Sequence, residues 1–123
     1  IIKKRLNHVI SENNRVKRAC DFLKENDIIS FSKLINESGE SLKNDFEVTG
    51  EYLDAIVESA RETDGVLAAR MTGAGFGGCA ICIVENDKIE EIKESVGIKY
   101  LKKTGIKSDF YTFDIDDGAR KLK

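Results

Sequence analysis

Proline and tryptophan are absent from the 123 residues, and histidine and methionine occur once each. Without proline there is no Pro-rich linker or stiff polyproline spacer. No repeat or low-complexity tract occurs either, so residues 1–123 read as a single domain, long enough to bury about two-thirds of the unfolded surface. No apolar run approaches the roughly 20 residues that span a bilayer. The 20 basic and 22 acidic residues are interspersed and leave a net charge of -2. That balance offers no basic face to nucleic acid or to an anionic membrane. Three cysteines, Cys20, Cys79 and Cys82, leave an odd thiol and no disulfide spacing, which points to a reducing, cytoplasmic setting. No signal-peptide pattern appears, and Ile1 falls inside what reads as a helix, so we expect a piece of a longer polypeptide, excised or processed.

The same scarcity limits the chemistry. His8 has no second histidine, cysteine or acidic cluster beside it and is expected to be a hydrogen-bonded structural residue. Cys79 and Cys82 form C-x-x-C, but residues three apart on a strand point to opposite faces, so buried structural thiols are expected rather than a metal or redox pair. The aspartates and glutamates read as surface charge. No metal ligand and no catalytic residue is assigned.

What the chain does have is glycine in one place. Arg70 to Ala80 reads R-M-T-G-A-G-F-G-G-C-A, with Gly73, Gly75, Gly77 and Gly78 between two apolar runs. Glycine loses more backbone freedom on folding than any other residue, so such a cluster implies positive φ or very close approach to something. Bare backbone amides turned toward one concavity suit an anion such as phosphate. Gly73, Gly75 and Gly78 also satisfy G-x-G-x-x-G, but that fingerprint requires a helix after the loop and an acidic residue about 20 positions on. Here a β-type run, Cys79 to Val84, follows, and the downstream region is Val96-Gly97-Ile98-Lys99. The context therefore argues against a dinucleotide site.

Around that loop, apolar periodicity predicts helices over 3–26 (stripe Leu6, Val9, Ile10, Val16, Ala19, Cys20, Leu23), 29–44 and 50–63. The polar face of the first, Glu12, Arg15, Lys17 and Arg18, is expected in solvent with i,i+3 pairing. Asp64-Gly65 is a turn. Residues 66–71 and 78–84 form a strand pair, Ile89 to Leu101 a fourth helix stopped by Gly105, and 110–115 a further strand. Residues 116–118 make a turn and 119–123 a tail. The order predicts α+β: helices packed on a small antiparallel sheet.

The string R-M-T-G-A-G-F-G-G-C, Arg70 to Cys79, closely resembles the third signature motif of the GHMP small-molecule kinases in its galactokinase form. Other stretches fall in the same order. His8-Val9-Ile10-Ser11-Glu12 with Arg15 is similar to the family's H-V-x-x-E-x-x-R. Residues 38–49 resemble S-H-x-S-L-x-x-x-Y-x-V-S, Tyr52-Leu53-Asp54 resembles E-L-D, and 117–120 resembles the closing D-G-A-[RK]. Gly39 stands where the family usually has histidine and Phe46 where it has tyrosine, which leaves the sugar open.

The resemblance implies the C-terminal GHMP kinase domain, of ferredoxin-like α+β arrangement. It implies an enzyme phosphorylating galactose at the anomeric C1 hydroxyl, with ATP and Mg2+ as cofactors of the complete protein. It also implies that the phosphate-cradling motif and the catalytic base lie in an N-terminal domain, the expected partner, so that this chain alone is inactive. Thr72, Gly73, Ala74, Gly75, Phe76, Gly77 and Gly78 are expected to support the substrate and phosphate loop from one wall of the cleft. The alternatives are a related kinase of another sugar and a non-catalytic module binding a small anion.

Overall fold

The helix that begins at Ile28 starts where capping chemistry places it. The Asp27 carboxylate accepts the Ser30 amide at 3.0 Å, satisfying a donor the first helical turn leaves free. Hydrogen bonding from the Ser30 side chain and then its amide holds that carboxyl below its usual range. A computed structural model describes residues 1–121, and the last two residues of the expected tail lie outside the described residues. The elements are α1 (Ile2–Lys24), α2 (Ile28–Ser41), a π-helical turn (Leu42–Phe46), α3 (Glu51–Arg61), β1 (Val66–Thr72), β2 (Cys79–Val84), a 3-10 turn (Asn86–Lys88) and α4 (Ile89–Thr104). The predicted second helix thus ends earlier, its last residues drawn into the π turn that Glu47 closes with a left-handed φ of 60°.

β1 and β2 pair antiparallel, from Thr72 opposite Cys79 to Val66 opposite Val84, with an irregularity between Val66 and Ala68. α2 and α3 pack on β1, α4 packs on α3, and α1 lies on α2. One apolar cluster joins Ala60, Ala69, Ile92 and Val96 between α3, α4 and the sheet. A second joins Leu42, Leu53 and Met71 at the end of β1 that leads into the glycine loop. Leu53 and Met71 are each 2% exposed. Leu53→Ala would open a cavity under Met71 and is expected to cost about 2–5 kcal/mol, read as a lowered denaturant midpoint of the intact protein.

Three expectations are corrected. Residues 105–121 form no regular element among the described residues, so 110–115 is not a strand and the sheet has two strands. After Gly105, left-handed at φ 73°, the chain turns back along α4, and the Phe110 ring lies 3.4 Å from where a Cβ on Gly97 would sit. That path leaves Tyr111 and Phe113 exposed and paired with neither strand.

The cysteines are all exposed rather than buried. β2 is an edge strand with one neighbour, and Cys20 stands on the outer side of α1. Local packing still pushes the Cys82 thiol up, with the charge of Arg61 opposing.

α1 is inverted. Of its predicted inward stripe, Leu6, Val9, Ile10, Val16 and Leu23 are all at least 50% exposed. The inward residues are instead Arg5, His8, Ser11, Glu12, Arg15 and Phe22, joined by Ala19 from the predicted stripe. Lys17 and Arg18 are in solvent as expected, but Glu12 and Arg15 are not. Their i,i+3 ion pair is turned toward α2.

Candidate functional site

The loop Gly73–Gly78 is the hairpin turn of the sheet, and its backbone explains its composition. Gly73, Gly75, Gly77 and Gly78 all have positive φ, from 82° to 119°, and so does Phe76 at 58°. At Gly75 conformation and space act together. Its φ is 87°, and a Cβ there would collide with the carbonyl oxygen of Val48. The next amide, Phe76 N, donates to that same oxygen at 2.7 Å. The loop is therefore clamped at its middle to the segment between the π turn and α3.

Elsewhere it is open. Gly73, Ala74, Phe76, Gly77 and Gly78 are exposed, and a Cβ on Gly73, Gly77 or Gly78 would meet nothing within 4 Å. Phe76 is a non-glycine residue held left-handed and 78% exposed at the tip. Both are costs that ordinary surface loops avoid and that cluster at functional sites. Thr72 sits partly buried at the last ladder position, opposite Cys79. The seven residues singled out in the sequence are thus contiguous, largely solvent-facing backbone. The described surface depressions, one lined by Asn86, Asp87 and Glu90 and another by Gly39, Thr49 and Arg61, include none of them.

Behind the loop lies a polar cluster that sequence reading missed as a unit. Arg70 Nε donates to Met71 O at 2.9 Å, and its Nη1 donates to Ser38 Oγ at 2.6 Å. Ser38 in turn donates to Glu12 Oε2 at 2.8 Å, and Arg15 bonds both Glu12 and Ser11. One turn further along, His8 Nδ1 is 2.9 Å from Ser41 Oγ, which donates to Asp45 Oδ2 at 3.1 Å. With the serine proton directed at the carboxylate, His8 must donate from Nδ1. Its ring, 8% exposed, stacks on Phe46 at 4.7 Å, so it is a bonded structural residue as expected.

The signal was present in the spacing: His8, Glu12 and Arg15 share one helix face, as do Ser38 and Ser41 on α2. Gly39 also belongs to this interior. Its missing side chain admits Arg61, whose guanidinium bonds Asn36 O and Ala69 O at 3.1 and 2.9 Å.

A sequence model described as "GHMP kinases C terminal" matches residues 19–103. The chain belongs to the GHMP kinases and is their C-terminal domain. Within that family it is similar to galactokinases. It is 52% identical over 120 residues to the galactokinase of Fusobacterium nucleatum, covering 98% of this chain and 31% of that protein. It is 48% identical over 123 residues to the galactokinase of Staphylococcus carnosus, covering the whole chain and 32% of that protein. The chain therefore spans about a third of the length of these relatives.

Among solved structures, Lactococcus lactis galactokinase complexed with galactose superposes with a TM-score of 0.85 at 45% identity, over 88% of this chain and 28% of that one. The L. major mevalonate kinase in complex with R-mevalonate, at 22% identity over 74% of this chain and 28% of that one, shares the fold with a TM-score of 0.65.

Proposed function

We propose that the chain is the C-terminal portion of a galactokinase-type enzyme, which transfers the γ-phosphoryl group of ATP to the anomeric C1 hydroxyl of galactose. The observation that carries this is the loop 73–78, exposed backbone without bulky side chains except Phe76, fixed in place by Val48. Phosphoryl transfer depends mostly on positioning and on stabilising charge spread over the phosphoryl oxygens. A neutral glycine loop contributes by letting the opposing phosphate-binding surface come close and by placing N–H dipoles near the charge. Thr72 anchors the loop at its root through its ladder position opposite Cys79. ATP supplies the phosphoryl group and Mg2+ offsets its charge. No metal ligand is assigned in this chain.

The partner is then the N-terminal domain of the same polypeptide, and residues 1–123 alone are inactive. The three free cysteines support a cytoplasmic setting, and no helix among the described residues is long and apolar enough to cross a membrane. A kinase of another sugar is the second reading, raised by Gly39 and Phe46. Gly39 accommodates Arg61, and the partly exposed Phe46 stacks on His8, so both differences have a packing account within this chain. ADP release by the complete enzyme across a panel of hexoses and pentoses is expected to give the highest kcat/KM with galactose, and none with residues 1–123 alone. A higher value with another sugar would replace the substrate, and turnover by the short chain would refute the division of labour.

A further inference from the structure

The inversion of α1 has a regular geometry. Leu6, Val9, Asn13, Val16, Cys20 and Leu23 follow one another at intervals of three, four, three, four and three residues, and all six are exposed. Single exposed apolar residues need no explanation, but a continuous row along a 23-residue helix does. Alternating intervals of three and four residues average 3.5, the period that keeps a seam facing one partner helix laid lengthwise at a shallow angle. Asn13 occupies an inner position of that seam, where a single polar residue fixes register. Beside the seam run Lys3, Lys17 and Lys24, at seven- or fourteen-residue separations, exposed and in no ion pair among the described residues.

We propose that this row is the seat of an amphipathic helix supplied by the remainder of the same polypeptide, with its own 3.5-residue apolar row and an acidic flank facing the three lysines. The proposal rests on the chain being a third of a longer kinase, since its relatives continue for about twice its length beyond the matched part. A second copy of α1 fits poorly. Antiparallel, it would set lysine row against lysine row. Parallel, it would need the row containing Arg5, Glu12 and Ala19, which already faces α2. Like charges placed opposite one another disfavour the first arrangement, and occupancy excludes the second.

Cys20 lies within the seam and is a native probe. In the intact enzyme, alkylation is followed by mass spectrometry of the peptide carrying Cys20. As the reference, Asn14→Cys puts a thiol on an exposed position of α1 outside both rows. Covered by a helix, Cys20 should react at least about tenfold more slowly than the thiol at position 14. Val16→Asp should raise the Cys20 rate toward the reference, and Val16→Leu should leave it slow. Equal rates for the two thiols in the unsubstituted seam would overturn the proposal. So would protection lost on dilution, which assigns the seam to a second copy. The readout needs no turnover, so an enzyme that shields Cys20 yet phosphorylates no sugar removes the kinase reading alone, and an active enzyme with open Cys20 removes this one alone.

Discussion

Gly75→Val in the intact kinase is expected to lower kcat by about a hundredfold while moving the melting temperature little. The two effects have different physical sources. A β-branched side chain at φ 87° is strained in itself, and its Cβ would occupy the space of the Val48 carbonyl oxygen. The loop must then lift away, and the 2.7 Å bond from Phe76 N to that oxygen must break. A hydrogen bond and a strained residue are worth about 1–3 kcal/mol. That loss falls on a hairpin tip whose own side chains join neither apolar cluster, although its clamp partner Val48 packs against the second. Displacement of the loop by about 1 Å is a different matter for turnover, because misplacement on that scale costs on the order of a hundredfold when positioning carries the catalysis.

Gly77→Ala is the companion. Its Cβ meets nothing in this chain, so any fall in kcat beyond that of strain reports the close approach of the opposing surface. Proportional losses of stability and turnover at Gly75 would instead leave the loop a purely structural hairpin.

The loop was legible because glycine can be read for conformation without neighbours: four glycines in a short span already implied positive φ, and all four have it. The strand pair, α3 and α4 were legible for a related reason, since their apolar periods and turn residues act locally. What escaped were features whose sense depends on what lies across from them. The stripe Leu6, Val9, Val16 and Leu23 does mark a helix, but periodicity shows only that one face is apolar, not which body covers it. Phe110 to Ile115 alternates like a strand, yet alternation supplies no edge to pair with, and Gly97 offers the Phe110 ring a place along α4 instead. Glu12, Arg15, Ser38 and Arg70 look like ordinary surface residues one by one. They become a cluster only when α1, α2 and β1 are brought together.

Arg70 is where that cluster meets the loop, and Arg70→Lys is the second large effect. The guanidinium makes two directed bonds at once, Nε to Met71 O and Nη1 to Ser38 Oγ. Through the serine it is linked to Glu12, whose carboxylate also lies 3.9 Å from Nη1. An ammonium is a point donor on a flexible stem and cannot reproduce that fork. Lysine keeps the charge near Glu12 but leaves either Met71 O or Ser38 Oγ without its donor, at about 1–3 kcal/mol for each buried group left unpaired.

Met71 is the residue at which β1 turns toward Thr72 and the glycines, so the freed backbone is the root of the loop. A positioning role predicts a fall in kcat of about tenfold or more with KM for the sugar nearly unchanged. Mere loss of stability would lower the amount of folded enzyme without altering kcat per active molecule. Ser38→Ala, which removes the other end of the bond, should be non-additive with Arg70→Lys by about 0.5–3 kcal/mol in kcat/KM. If the two losses simply add, Arg70 and Ser38 act on the loop separately and the chain of bonds from α1 to β1 does not transmit position.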